Sequence, residues 1–257
     1  MLALVVAGVP DQEVGAAHTP GVLAEPADHR DVWVVVRCFN EAAVAGRVIG
    51  ELVTRFPNVV GVDDGSTDGS AEVMRAAGAR VVRHAINLGA GAALQTGLRF
   101  ALLDPAARCF VCFDADGQHR VSDALAMVER LRREDLDILI GSRFLGTAAA
   151  IPRGRRTLLR AARVFERLFS GVRLSDAHNG LRVFSRRFAS QVDLKMHDMA
   201  YASELLRLIR ASGLPYAEHP VTIDYTVYSL QKGQRSVNSI NIAMDVWMQQ
   251  IFGKRGA

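Results

Sequence analysis

Cysteine is scarce in this chain: Cys38, Cys109 and Cys112 are the only three in 257 residues, and three cannot pair completely. A disulfide framework is therefore excluded, which suits a reducing cytosol. Cys109-x-x-Cys112 has no second cysteine pair to complete a zinc site, and residues three steps apart on one strand face opposite ways. Core packing is the role expected of all three. A long apolar run is missing too. The opening stretch, Met1 to Pro10, has no basic leader and falls far short of the ~20 residues that span a bilayer, and no other segment reads as a membrane helix. The expected location is cytoplasmic, with the cytoplasmic face of the membrane as its variant. Repeats and low-complexity segments are absent, and 49% hydrophobic with 23% charged residues is ordinary for a folded domain. Acid is short in one region only. Residues 141–190 carry eleven arginines against Glu166 and Asp176, a local balance of +9 in a chain whose net charge is +4. An anionic partner is implied. That block lacks aromatics interleaved for base stacking, and no helix-turn-helix or zinc pattern occurs, so nucleic acid is not expected. Phosphates or an acidic membrane surface fit better.

What the chain does have is Phe110-Val-Cys-Phe-Asp114-Ala-Asp116-Gly-Gln118-His119. An apolar β-rich run delivers two carboxylates at i and i+2, and Gly117 lets the backbone turn out of the strand. Close carboxylates repel each other, so such a pair favours a cation beside it, and hard divalent ions prefer oxygen ligands. Taken alone, Asp-x-Asp-Gly is more often a solvated turn. Its neighbours decide between the two.

Residues 1–30 read as an N-terminal extension, 31–228 as one domain, and 229–257 as a basic loop followed by an amphipathic helix. Within the domain, β-branched runs alternate with helical stretches: strands at 32–36, 58–62, 80–83, 108–113 and 137–140, helices at 42–55, up to 77, up to 103 and 122–133. Five such alternations predict an α/β fold, a mostly parallel central sheet with helices on both faces, whose ligands gather beyond the strands' carboxyl ends. Every polar cluster falls on that rim. Asp63-Asp64-Gly-Ser66-Thr-Asp68 ends the second strand, where Ser66 or Asp68 is also a plausible helix cap. Asn87-Leu-Gly89-Ala-Gly91 opens the third helix, and its small residues allow close approach while the helix end favours a phosphate or polar sugar. Further on come an amphipathic helix over 157–170, a strand after Asp176, a helix near 199–211 containing Glu204, a strand over 220–228 and a helix over 237–251. The two amphipathic helices can pack on the domain or lie against lipid, and the second can also dimerise.

Taken in order, Phe39-Asn-Glu41, Asp63 to Ser70, Asn87 to Gly91, Asp114 to His119, Gly141-Ser-Arg-Phe144 and Asp176 to Arg182 resemble the family 2 glycosyltransferases. The resemblance spans roughly residues 32–225 and is closest to the dolichol or polyprenol phosphate mannose or glucose synthase branch. It implies the GT-A nucleotide-diphospho-sugar transferase fold and an inverting, Mg²⁺- or Mn²⁺-dependent transfer of a hexose from a UDP- or GDP-linked donor. Residue by residue, it places Arg37, Phe39 and Glu41 in the nucleotide pocket, with Asp63 and Asp64 on base and ribose. Asn87 and Gly91 join the donor site. Asp114 and Asp116 bind the metal through the diphosphate, and Gln118 is a further ligand. Arg143 sits beside phosphates, joined by Arg155 or Arg156. Three departures stand out. Arg37-Cys38 replaces a proline common before the aromatic-Asn-Glu sequence, Gly117 replaces a leucine before Gln-His, and the paired membrane helices of many glucose synthases are missing. A lipid acceptor would have to be met peripherally.

A phosphate acceptor is already an anion and needs arginines rather than a base, whereas a hydroxyl acceptor, on a saccharide or small molecule, needs a carboxylate. Asp176 and Glu204 are the residues available for that. Each has a plainer role open to it: Asp176 as a turn cap, Glu204 as a partner of Arg207 on its own helix. A donor-binding module without activity is the remaining alternative, and the intact Asp114, Asp116 and Gln118 argue against it.

Overall fold

The structure is a computed structural model that describes residues 28–145, 172, 174–196 and 200–224. Arg155, Arg156, the expected helices over 157–170 and 237–251, and most of the N-terminal extension lie outside the described residues. In chain order the elements are β1 (Val32–Cys38), α1 (Ala42–Val53), β2 (Asn58–Asp63), α2 (Ser70–Ala76), β3 (Arg80–Arg83), α3 (Ala90–Leu102), β4 (Cys109–Asp114), α4 (Val121–Arg133), β5 (Ile138–Ser142), β6 (Arg182–Ser185), α5 (Arg186–Ala189), α6 (Ala200–Ser212) and β7 (Tyr216–Pro220). Seven strands form one sheet in the order β3-β2-β1-β4-β6-β5-β7.

The uninterrupted run Val-Trp-Val-Val-Val makes β1 a strand that can bury both faces, and it takes a central place, parallel to β2 on one side and β4 on the other. Beyond β4 the pattern changes. β6 is antiparallel to both β4 and β5, while β5 and β7 pair in parallel. Hence β6 alone among the seven runs backwards, and its first residue, Arg182, lies at the end of the sheet where β4 and β5 finish.

Apolar residues at helical spacing cover the two faces. Ala45, Val48, Ile49 and Leu52 of α1 and Ala124, Met127, Val128 and Leu131 of α4 pack against Val32, Val34, Val36, Val111 and Phe113. On the other face Leu94 and Leu98 of α3, Phe188 of α5 and Leu205, Leu206 and Ile209 of α6 meet Trp33, Val35, Phe110 and Ile140. Cys109 belongs to the first core and Cys112 to the second, as the period of two requires, and both are free buried thiols. Burial pushes each of them up to about 12, so neither is a thiolate at neutral pH.

Of the strand expected over 220–228, residues 225–228 lie outside the described residues, and the described strand begins earlier, at Tyr216. β7 ends at Pro220, and beyond it the described chain makes only an isolated bridge, Ile223 to His119. The β-branched content of Val221-Thr-Ile-Asp-Tyr-Thr-Val drew the expectation downstream, whereas β7 itself, Tyr-Ala-Glu-His-Pro, is a half-buried edge strand with little β propensity. Proline is tolerated at its end because no ladder donor is needed there.

Close approach of α3 to the sheet depends on Gly97, where a Cβ would lie 2.2 Å from Val35 Cγ1 and 3.1 Å from Val62 Cγ2. Both neighbours are stiff β-branched side chains on central strands. Gly97→Ala is therefore expected to destabilise the protein by about 1–3 kcal/mol, despite alanine's better helix propensity. Urea unfolding checks this, and a variant as stable as the wild type would mean that α3 lifts off the sheet freely.

Candidate active site

The register of β1 against β4 sets Arg37 directly beside Asp114 at the carboxyl rim. Both point to the face covered by α3 and α6, and there the Arg37 guanidinium donates to Asp114 Oδ1 and to the Tyr201 hydroxyl. The Tyr201 ring lies between two cations, 5.3 Å from Arg37 Cζ and 5.6 Å from Arg182 Cζ. His119 Nε2 stands 3.7 Å from Asp114 Oδ2, an electrostatic contact rather than a hydrogen bond. Burial works to raise the Asp114 carboxyl, but Arg37 and His119 outweigh it and hold the group well below the usual carboxylate range. Asp116 has no guanidinium against it among the described residues. Burial, and then the charge of Asp114, push its carboxyl up to about 6, while Gln118 N–H donates to its Oδ1 at 3.0 Å. Gly180 closes this corner from above: a Cβ there would lie 1.9 Å from Asp114 Oδ2, so only glycine lets the 176–180 loop pass.

This arrangement fits a divalent ion in part. Among the described residues no three His, Cys, Asp or Glu side chains converge as a closed metal site. Asp116 is the side chain whose charge a cation would relieve, with Asp114 and Gln118 flanking it. Oxygens from a phosphate ligand would have to complete the coordination, as is usual for Mg²⁺.

Asp63 and Asp64 end β2, both buried, and the structure engages them within the protein. Asp63 Oδ1 accepts from Ser66 N–H at 3.1 Å, and Arg83 Nε lies 3.0 Å from Oδ2. Asp64 ties down the loop before α3: its oxygens accept from His84 Nδ1 at 2.7 Å, Leu88 N–H at 2.9 Å and Gly89 N–H at 2.8 Å. Asn87 adds a bond from its own side chain to Gly89 N–H at 2.9 Å. Gly91 faces the interior, where a Cβ would meet Tyr201 Cβ at 2.6 Å, so its smallness serves the packing of α3 on α6. Phe39 projects from the rim with 41% of its surface exposed, while Glu41 is buried and its backbone N–H donates to Ser70 Oγ at 2.9 Å. Asp68 helps seat two helices: its Oδ1 accepts from Ser70 N–H at the start of α2 at 3.0 Å, and its Oδ2 from Ala42 N–H at the start of α1 at 2.9 Å.

A second group of charges forms where β5 ends. Asp176 Oδ2 accepts from Arg143 Nε at 2.7 Å, Arg143 N–H at 3.1 Å and Asn179 Nδ2 at 3.3 Å. Asp176 and Arg143 are thus brought together. Glu204 is not: its carboxylate accepts from Lys195 and Met196 N–H, and Arg207 turns to Met196 Sδ instead of pairing with it. The loop amides before α6 outcompete a helix-surface ion pair, which is worth only a few tenths of a kcal/mol. Three residues at this rim had no role in the sequence reading: Tyr201, Arg182 and Glu218. Glu218 gave no signal, because the strand expected from the sequence began only at Pro220.

The sequence matches the model of glycosyl transferase family 2 over residues 33–192. An uncharacterised protein of Methanocaldococcus jannaschii is 34% identical over 227 residues, covering 86% of this chain and 93% of that protein. The UDP-N-acetylglucosamine–dolichyl-phosphate N-acetylglucosaminyltransferase of Methanococcus voltae is 25% identical over 247 residues, 88% of this chain and 96% of the relative. Among solved structures, glucosyl-3-phosphoglycerate synthase from Mycobacterium tuberculosis, in complex with Mn²⁺, UDP-glucose and phosphoglyceric acid, superposes with a TM-score of 0.55 at 19% identity, covering 81% of this chain and 78% of its own. That likeness establishes the GT-A type of fold.

The two carboxylates should respond oppositely to neutralisation. Asp114→Asn strands the buried Arg37 charge and is expected to cost about 2–3 kcal/mol. Asp116→Asn removes a repelled carboxylate and is expected to stabilise the metal-free protein at pH 7 by about 1–2 kcal/mol. The sign follows from linkage: the folded state binds the Asp116 proton more tightly than the unfolded chain, so its contribution to stability rises as pH falls from about 6 towards 3.8. Thermal melts of both variants without metal check the pair, and equal destabilisation by the two would refute the argument.

Proposed function

The chain belongs to glycosyl transferase family 2, and from that premise we propose that it moves a hexose, with inversion, from a nucleotide-diphosphate sugar to a polyprenyl phosphate at a membrane surface. The observation that carries this reading is the state of Asp176. Its Oδ2 takes three donors, two of them from Arg143, so the carboxylate acts as the holder of a cation. A phosphate acceptor, already anionic, needs such a placed guanidinium and no base. In support, the M. voltae relative is named for transfer to dolichyl phosphate.

In this reading the donor lies across the rim from Phe39 and Glu41 past Asp63, Asp64, Asn87 and Gly91 to Asp114. Asp116 holds Mg²⁺ or Mn²⁺ with Asp114 and Gln118, and a bound ion would supply Lewis-acid neutralisation of the leaving diphosphate. Arg37 keeps Asp114 ionised and fixed. Asp64 anchors the loop on which Asn87 sits. Arg143, with Arg155 or Arg156, receives the acceptor phosphate and sets its oxygen against the anomeric carbon. No described helix is long and apolar enough to cross a membrane. Ile86, Leu88 and Met196 nonetheless expose apolar surface, the first two from the loop between β3 and α3 on this rim, a fringe suited to the lipid's chain.

A hydroxyl acceptor is the second reading. It is favoured by the other oxygen of Asp176, Oδ1, which takes no hydrogen bond among the described residues and could serve as a base.

Incubation with Mg²⁺ or Mn²⁺, a panel of labelled UDP- and GDP-sugars and a short polyprenyl phosphate, followed by counting the organic phase, separates the two. Label from one donor, lost in Asp116→Ala and reduced roughly 100-fold in Arg143→Ala with donor binding intact, is the expected outcome. Label found only in water-soluble product, and abolished by Asp176→Asn, would transfer the assignment to the hydroxyl reading.

A further inference from the structure

Glu218 lies on the edge strand, yet its side chain is not needed to hold that strand. β7 pairs with β5 through five registered residues, and Glu218's carbonyl already accepts from Arg130 Nη1 at 2.7 Å. The carboxylate turns elsewhere. Its Oε1 accepts from Ser175 N–H at 2.7 Å, Ser175 Oγ at 2.8 Å and Asp176 N–H at 3.0 Å. Two consecutive amides on one carboxylate oxygen fix the peptide plane between Ser175 and Asp176. Two other bonds then become possible: Ser175 Oγ reaches Ser142 Oγ at 2.5 Å, and Asp176 Oδ2 grips both the amide and the guanidinium of Arg143.

The far side of the same loop is held by Arg182. Registers across the sheet put Glu218 beside Ile140, Ile140 beside Arg182 and Arg182 beside Cys112, one rung with its side chains on one face. Ile140 and Cys112 pack into the core on that face, as does Ala177 of the loop. Arg182, 2% exposed, donates from Nη2 to the Ala177 carbonyl at 3.2 Å, while its Nε and Nη1 find no hydrogen-bond acceptor among the described residues. An acid and a base on one rung thus take the amides of 175 and 176 and the carbonyl of 177.

We infer that Glu218 is a positioning residue for transfer: through Ser175 and Asp176 it sets the Arg143 guanidinium at the acceptor, with Arg182 bracing the loop. This rests on the reading of Arg143 given above. A residue of the fold alone would affect donor and acceptor equally; a positioning residue affects the acceptor.

The test uses the full chain with Glu218→Ala and Glu218→Gln. Glu218→Ala is expected to raise the KM for polyprenyl phosphate about tenfold, with kcat at saturating acceptor changed less and metal-dependent donor affinity within about twofold. Glu218→Gln keeps an accepting oxygen and is expected to recover most of the loss. Hydrogen exchange read on peptides across 172–181 should quicken in Glu218→Ala and return towards wild type in Glu218→Gln, while 109–114 stays protected in both. An unchanged acceptor KM with unchanged exchange overturns the inference, as does a parallel loss of donor affinity and thermal stability. If the wild type labels a hydroxyl acceptor and no lipid, the acceptor reading falls, and the exchange pattern with the KM for that acceptor still decides on Glu218.

Discussion

A carboxylate whose Oδ1 receives a buried guanidinium can stay ionised below the surface of a protein, and the Arg37–Asp114 pair does this at the one place where β1 and β4 end side by side. Remove the register and the pair is gone, because a slip of one residue would send both side chains to opposite faces. The rest of the rim takes its arrangement from this point. Burial, and then Asp114 beside it as a fixed anion, make Asp116 a reluctant one, and two acids two residues apart acquire different characters from their surroundings alone. Tyr201, accepting from the same guanidinium, brings the start of α6 over the site, and Gly91 lets it come close enough.

Much of this was legible because strands buried on both faces must be continuous runs of β-branched residues, and β1 and β4 are. The rim position of the acids followed from the same runs ending at Cys38, Asp63 and Asp114. What a sequence does not display is the direction of a carboxylate's oxygens. Asp64 and Asp114 both stand where a buried strand finishes, yet Asp64 takes its donors from the loop before α3, and Asp114 takes the Arg37 guanidinium from the neighbouring strand with the His119 ring nearby. Arg182 and Glu218 escaped for the same reason. Their partners lie 5 and 42–43 residues away, and only the return of β6 between β4 and β5 puts them on one rung.

Two parts of the rim are built by different means. After β1 and β2, main-chain turns carry the geometry, with Asn40 at φ 53° and Gly65 at φ 75° allowing these loops to fold against each other and against Ile86. Where β5 ends, charged side chains do it, in a chain of contacts from Glu218 to Asp176 to Arg143. Backbone turns are insensitive to ionic strength; a relay of charges is sensitive to the loss of any one member.

The reversed strand has a topological corollary. Because β5 runs up to the rim and β6 starts down from it, the segment between Ser142 and Arg182 departs from and returns to neighbouring points at the same end of the sheet. Lengthening or replacing such an excursion costs only a slowly growing closure entropy and disturbs no strand register. The segment between β5 and β6 can therefore be exchanged like a cassette, while the four parallel strands β3-β2-β1-β4, locked into one register, have to be inherited whole.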